Sequence, residues 1–223
     1  MILVKRNGSE FQHELSENFL RVENSFGTMY DLFKIGMMVD VLNEKIVEVV
    51  ELVNSELKNE DFEVGSSMSR QPDVYFIRNE FQDTFRKSIF ISSFSFFESG
   101  LSEIVETLKN YVDVGKYDDK IEGYGKVLSG FGLLNIGGNL WGIINDMKLV
   151  RNSLTHENSR IGRVKYDDLR KKINGNKYSG ITLSGDTLIL TKNDILKDSI
   201  DKYERVLMEI YDNSHKITTE RKQ

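Results

Sequence analysis

The sequence predicts a mainly α-helical protein, a bundle of four to five helices with one small β-hairpin. Three observations predict this fold class. Apolar residues recur every three or four positions along most of the 223-residue chain. Pro72 is the single proline, so long helices are permitted on both sides of it. Two short apolar runs flank Gly185-Asp186, a typical two-residue turn, which places the hairpin near residues 181–190.

The N-terminal part of the chain is predicted to be one long amphipathic helix over about residues 17–57, with a break near Gly36. The following segment, 58–71, is charged and then rich in glycine and serine, and it leads to Pro72. This segment is the only candidate linker. We therefore divide the chain into an N-terminal extension (1–72), a helical domain (73–213) and a frayed polar tail (214–223).

A second long helix is predicted over about residues 79–112, and it is apolar on two sides, which is typical of a helix at the centre of a bundle. Its two stripes are Phe81, Phe85, Ile89, Phe96, Ile104 and Leu108, and Phe90, Phe94, Phe97, Leu101 and Val105. Further helices are predicted at about 124–134, at about 139–155 and, with Thr191 as N-cap, at about 193–211.

The charge of the chain is unevenly distributed. The net charge of −5 argues against nucleic-acid binding, but residues 151–177 contain eight basic and only three acidic side chains. We interpret 160–177 as a basic loop that can hold a phosphate backbone, while a solvated lysine-rich loop is an equally open interpretation. The candidate RNA-binding residues are Arg160, Arg163, Lys165, Lys171 and Lys172.

The composition also excludes several kinds of site. The absence of cysteine rules out disulfides and thiolate metal sites, and it suits a reducing compartment, so we expect a cytoplasmic protein. The longest apolar runs are too short to span a membrane or to act as a signal peptide. Histidine and carboxylate spacings typical of zinc or di-iron sites are missing. We therefore expect neither a metal nor a cofactor.

The most informative stretch is Arg-Asn-Ser-Leu-Thr-His, residues 151–156. Arg151 falls on the apolar stripe of the predicted 139–155 helix, where a charge is costly unless it is paired or lines a cleft. A guanidinium can bind and stabilise a phosphate, and the imidazole of His156 can transfer protons near neutral pH. Asn152, four residues before His156, can orient the imidazole or contact the phosphate. These residue types suit RNA cleavage without a metal.

This hexapeptide resembles the Arg-(four to six residues)-His motif of the HEPN superfamily, in which a polar residue such as Asn commonly follows the arginine, and the arrangement of the chain is similar to the RiboL-PSP-HEPN branch in particular. The similarity covers about residues 80–212, including a Phe-rich helix that carries Glu98, and only the motif is specific. The resemblance implies a homodimer with one composite cleft and a metal-independent endoribonuclease that acts as a toxin or in antiphage defence. It also implies an antitoxin or defence-system partner, with Arg151, Asn152 and His156 as catalytic residues.

Two alternatives remain open. The chain can be a catalytically inactive HEPN-like domain that binds RNA or a protein at the same cleft. It can also be an interaction protein that works through the long 17–57 helix. A tyrosine that some HEPN toxins carry two residues after the histidine is replaced here by Asn158, which does not support control by tyrosine adenylylation.

Overall fold

The computed structural model describes residues 82–219, with side chains as far as residue 214, and single positions between His13 and Glu51. Those single positions are all helical, and three of them, His13, Glu14 and Ser16, lie before the predicted start of the N-terminal helix at about residue 17. The rest of that helix, the break near Gly36 and the candidate linker lie outside the described residues.

The described residues confirm a mainly helical bundle with one small antiparallel hairpin. The elements are α1 (Gln82–Lys109), α2 (Ile121–Gly130), α3 (Asn139–His156), α4 (Asp167–Asn174), β1 (Ile181–Ser184), β2 (Thr187–Leu190) and α5 (Asp194–Thr219). A single 3-10 turn, Val164–Tyr166, leads into α4.

Helix α1 is the centre of the bundle, because it contacts α2, α3, α5 and β2. Both apolar stripes contribute to the core, and Phe97 stacks on Tyr203 of α5 with ring centroids 4.7 Å apart. The prediction was wrong for Phe96, whose side chain is 44% exposed. Its neighbours one turn away, Ser92 and Ser99, are also exposed, so Phe96 lies on the serine face of α1 and not on the core face.

The hairpin has the predicted position and turn. Ser184 pairs with Thr187, and Gly185 adopts a φ of +60°, the left-handed conformation that such a turn requires. The first turn of α1 holds the end of β2, since the Asp83 carboxylate accepts from the Leu190 N–H at 3.0 Å and Arg86 donates to the Leu190 carbonyl at 3.3 Å. This anchoring fixes the hairpin beside α1.

The basic segment is not the loop that the sequence predicts. Tyr166, Leu169 and Ile173 are buried, and their spacing of three and four residues places them on one side of the 3-10 turn and α4. Arginine and lysine occupy much of the rest of this short helix, so its apolar period is only two steps long. Such a weak period is easily missed in a highly charged segment.

The last helix begins within one residue of its predicted start at about residue 193, but its N-cap and its C-terminal end differ from the prediction. It begins at Asp194, after Asn193, whose carbonyl accepts from the Leu196 and Lys197 N–H groups, and not after Thr191. It continues to Thr219 and does not end near residue 211. The side chain of Asn213 donates to the Leu133 carbonyl at 3.1 Å, so contacts with the segment after α2 hold this end of α5.

Candidate functional site

The candidate arginine lies at the edge of the core face of α3. That face consists of Trp141, Ile144, Met147, Val150 and Ser153. Arg151 flanks it, with 25% of its side chain exposed. The sequence predicted that Arg151 would replace an apolar residue in the middle of the stripe, and this detail was wrong. Leu140 and Leu154, which defined the predicted stripe, are only half-buried.

The guanidinium of Arg151 is only partly satisfied. Its Nη1 donates to Asn152 Oδ1 at 3.1 Å, and its Nη2 is 3.9 Å from Glu98 Oε2 on α1, at the outer limit of an ion pair. Its carbon Cζ is 5.9 Å from the centroid of the Phe94 ring. Its Nε is buried and finds no acceptor among the described residues. The guanidinium therefore has more N–H donors than there are acceptors close to it among the described residues.

The imidazole of His156 is exposed at the last residue of α3. It makes no hydrogen bond within the part of the chain that the structure describes. It lies five positions after Arg151, which places the two side chains about 140° apart around the helix. Asn152 lies one turn before His156, and because its Oδ1 accepts from Arg151, its amide nitrogen remains free to donate. Asn152 thus contacts the arginine, and no hydrogen bond joins it to His156 among the described residues.

The next residue, Glu157, engages two of the predicted RNA-binding cations. Its Oε1 accepts from Arg163 Nη1 at 2.9 Å and from Lys165 Nζ at 3.0 Å. The hydrogen bond from Lys165 and, less strongly, the charge of Arg163 lower the pKa of the Glu157 carboxyl below its usual range. Both cations are therefore tied to a carboxylate directly beside His156.

The other three candidate RNA-binding residues differ from one another. Lys172 lies between two carboxylates, at 2.8 Å from Asp146 and 2.7 Å from Asp168. Arg160 and Lys171 are exposed and form no ion pair within 4.0 Å in the described part of the chain, although the charge of Lys171 acts on Asp168. The basic segment thus presents less free positive charge than its composition suggests.

The sequence reasoning missed Asp146, which is only 5% exposed on the core face of α3. Its carboxylate accepts from Lys172 Nζ and from the Tyr178 hydroxyl, and Lys177 Nζ is 3.6 Å away. Burial and the bond to Asp146 raise the pKa of Tyr178. The signal that could have found this residue is an acid placed between Ile144 and Met147, on the side of the helix that must be buried.

The reasoning also missed Lys148, one turn before Arg151. Its Nζ forms an ion pair with Glu122 of α2. Burial lowers the pKa of Lys148, and the negative charge of Glu98 opposes that change. Glu98, Glu122, Lys148 and Arg151 therefore form one cluster of alternating charges where α1, α2 and α3 meet, which we call the charged seam. The spacing of Lys148 and Arg151 on one helical face is its sequence signal.

Comparisons with protein-family models, curated proteins and solved structures find no match for this chain. Among the described residues, no group of three histidine, cysteine or carboxylate side chains is arranged to hold a metal ion. The helices that the structure describes include none with the length and hydropathy to cross a membrane. The geometry around Arg151 is therefore the basis for any statement about function.

Proposed function

We propose that the protein is a metal-independent endoribonuclease of the HEPN type. One observation carries the proposal: Arg151 is a half-buried arginine with unused donors, bonded to Asn152 and on the same helix end as the exposed His156. A guanidinium held over Phe94 and beside Glu98 is positioned by its surroundings, yet it is left incompletely paired. A preorganised cation of this kind stabilises the charge that develops on a phosphoryl group.

In the proposed reaction the 2′-hydroxyl oxygen of the RNA attacks the adjacent phosphorus, and the bond from phosphorus to the 5′-oxygen breaks. The 2′-hydroxyl proton leaves and the 5′-oxygen gains one, so the products are a 2′,3′-cyclic phosphate and a 5′-hydroxyl. His156 transfers a proton in one of these two steps, Arg151 binds the non-bridging phosphate oxygens, and Asn152 orients the reacting groups. No oxidant or cofactor is needed, because RNA supplies its own nucleophile.

The proposal includes a path for the RNA and a set of partners. Arg160 and Lys171 offer exposed positive charge, while Arg163, Lys165 and Lys172 would contact phosphates only after exchanging a carboxylate partner. A homodimer that joins two motifs is part of the proposal, as is an antitoxin or defence-system partner. The lack of cysteine suits action in the cytoplasm, in a toxin or antiphage defence context.

A specific observation favours a second candidate, a HEPN-like domain that binds RNA or a protein without cleaving RNA. His156 lacks an orienting hydrogen bond among the described residues, whereas an efficient general base is normally held by a third group. In this alternative Arg151 still binds phosphate, and affinity for RNA does not depend on His156.

The test is RNA cleavage by purified protein in EDTA, with end-group analysis of the products. Arg151→Ala and His156→Ala are compared with matched controls, Arg205→Ala on an exposed position of α5 and His13→Ala near the N-terminus. We expect cleavage by the wild type and both controls, and losses of at least about a hundredfold in the two site variants.

Two results would contradict the enzyme. A wild type that binds RNA but never cuts it, with the same affinity in His156→Ala, supports the binding domain. Cleavage that persists in folded Arg151→Ala and His156→Ala protein places the activity elsewhere, or in a contaminant.

A further inference from the structure

A groove lies between α2 and the segment that follows α1. Its volume of about 510 Å³ falls within the range of roughly 300–1,000 Å³ that is typical of sites for small molecules. Gly123 of α2 allows this segment to approach closely, because a Cβ there would clash with the backbone carbonyl of Asp118. None of the three motif residues, Arg151, Asn152 and His156, lines the groove. It is therefore a feature separate from the candidate site.

Aromatic and apolar side chains form part of the groove wall. They include Tyr117 from the segment after α1, Phe131 directly after α2, and the buried Val127. The Tyr117 ring is held by two contacts: its hydroxyl donates to Glu106 Oε1 at 3.0 Å, and Lys109 Nζ lies 4.9 Å from the ring centroid. A flat aromatic ring packs favourably against such side chains, and a wall that is already ordered loses little freedom on binding.

Lys116 and Lys126 add positive charge to the groove. Both side chains are exposed, and neither forms an ion pair among the described residues. Two acids, Asp118 and Glu122, also line the groove. Glu122 belongs to the charged seam and is engaged by Lys148, whereas Asp118 is exposed and has no ion pair in the described part of the chain. The groove therefore offers two cations to an anion and one carboxylate to a hydroxyl or amino group.

We propose that this groove binds a nucleotide. The base packs against Tyr117 and Phe131, Lys116 and Lys126 bind the phosphate, and Asp118 accepts from the ribose hydroxyls. A bare phosphate would leave the aromatic wall unused, and an uncharged aromatic molecule would leave both lysines unpaired. A nucleotide carries all three kinds of group, whether it is free or part of an RNA strand. The inference does not depend on the proposed function, because the groove and the motif share no residue.

The decisive variant is Gly130→Met. Gly130 lines the groove, and a Cβ at this position would meet no atom within 4 Å, so the substitution adds volume at the groove without a clash in the fold. Gly142→Met is the matched control, because Gly142 of α3 is equally exposed and open. The measurement is an NMR titration of 15N-labelled protein with adenosine 5′-monophosphate (AMP), followed at the Gly123 amide. We expect saturable binding by the wild type and the control, and an affinity at least about tenfold lower in Gly130→Met.

Further titrations separate the parts of the ligand. Adenosine lacks the phosphate and ribose 5-phosphate lacks the base, so each should bind at least about tenfold more weakly than AMP. The double variant Lys116→Gln/Lys126→Gln should lose about tenfold in affinity for AMP, and Lys197→Gln on an exposed position of α5 should lose none. A 2′-O-methyl RNA hexamer has no 2′-hydroxyl to attack phosphorus. Hexamer binding that Gly130→Met weakens identifies an RNA strand as the source of the nucleotide, and an effect on AMP alone identifies a free nucleotide.

The inference is overturned if Gly130→Met weakens the binding of neither AMP nor the hexamer, or if Gly142→Met weakens it equally. An affinity for adenosine equal to that for AMP would also contradict it, since the two lysines would then have no role. A wild type that never cleaves RNA would count against the proposed function alone, because these titrations measure binding and not cleavage.

Discussion

Asp146 and Arg151, two charged residues of α3, have opposite environments. Asp146 is 5% exposed and accepts from a lysine and a tyrosine, with a second lysine 3.6 Å away. Arg151, five residues later, is 25% exposed and has one hydrogen bond, one distant carboxylate and an unpaired buried Nε. One charge is thus fully compensated, whereas the other is held in position but left incomplete.

The number of polar partners therefore distinguishes a charged side chain with a structural role from a candidate functional one. Lys172 and Tyr178 tie Asp146 to α4 and to the segment that precedes β1, so its partners are permanent parts of the fold. The donors of Arg151 exceed the acceptors around it. A buried donor without an acceptor is costly, so each one in a native protein calls for a physical explanation.

The largest effect on stability is expected for Asp146→Ala. Its loss leaves Lys172 and the Tyr178 hydroxyl without their shared acceptor, and breaking a buried pair in this way costs about 3–5 kcal/mol. Urea unfolding followed by circular dichroism measures the change. Asp168→Ala is the control, because that carboxylate is 78% exposed, and it should leave the transition midpoint almost unaltered. An equal loss of stability in Asp146→Ala and Asp168→Ala would show that the buried position of Asp146 gives it no special structural role.

Arg151→Met should change stability little and RNA cleavage strongly. The apolar stem still packs against Phe94, and removal of a poorly paired guanidinium changes the free energy of unfolding by no more than about 1 kcal/mol. RNA cleavage should fall by at least about a hundredfold. Unfolding and cleavage assays on the same protein preparation measure the change in stability and the change in activity. A strongly destabilised Arg151→Met protein would mean that the arginine is structural, like Asp146.

Alkaline pH should weaken the Asp146 cluster. The pKa of Tyr178 is raised in the folded protein above its usual value of 10.0, so the unfolded chain loses this proton first. Below pH 10 the contribution to stability is intact, and as pH rises above 10 it is lost by up to about 1.4 kcal/mol per pH unit. Urea unfolding at pH 9 and above measures the slope, which should be shallower in Tyr178→Phe. An identical slope in that variant would show that Tyr178 does not report on the cluster.

The smallest effect is expected for Glu157→Gln. The substitution releases Arg163 and Lys165 beside His156, and affinity for RNA should rise by roughly two- to fivefold at low salt. The gain should disappear at high salt, because exposed charges are screened. Filter binding over a range of salt concentrations tests this, with Glu106→Gln on α1 as the matched control. Weaker binding by Glu157→Gln would indicate that the carboxylate holds the two cations in place for RNA.

Much of the fold could be predicted because its signals are local. Long apolar periods identified α1, α3 and most of α5, and Gly185-Asp186 identified the hairpin turn. Helix α4 was missed because three buried residues in a charged segment make too short a period. The end of α5 was missed because Asn213 bonds to Leu133, a residue far away in sequence.

The residues of the candidate site also fall into two groups, those that the sequence identified and those that it did not. Arg151, Asn152 and His156 could be selected from residue type and spacing. Asp146, Lys148 and Glu122 were missed. The positions of Asp146 and Lys148 on α3 are weak signals, since a charged residue on an amphipathic helix ordinarily faces solvent. The pairing of Lys172 with Asp146 likewise depends on how α4 folds back onto α3.

The order of amino acids by itself determined the helical class, the hairpin and the motif at the end of α3, because periodicity, turn chemistry and spacing act over a few neighbouring residues. Only the tertiary structure decided which charges are compensated. The pairs of Glu98 with Arg151, Glu122 with Lys148 and Asp146 with Lys172 each join separate helices. The energy of an ion pair depends on distance and desolvation, and both are set by packing between elements.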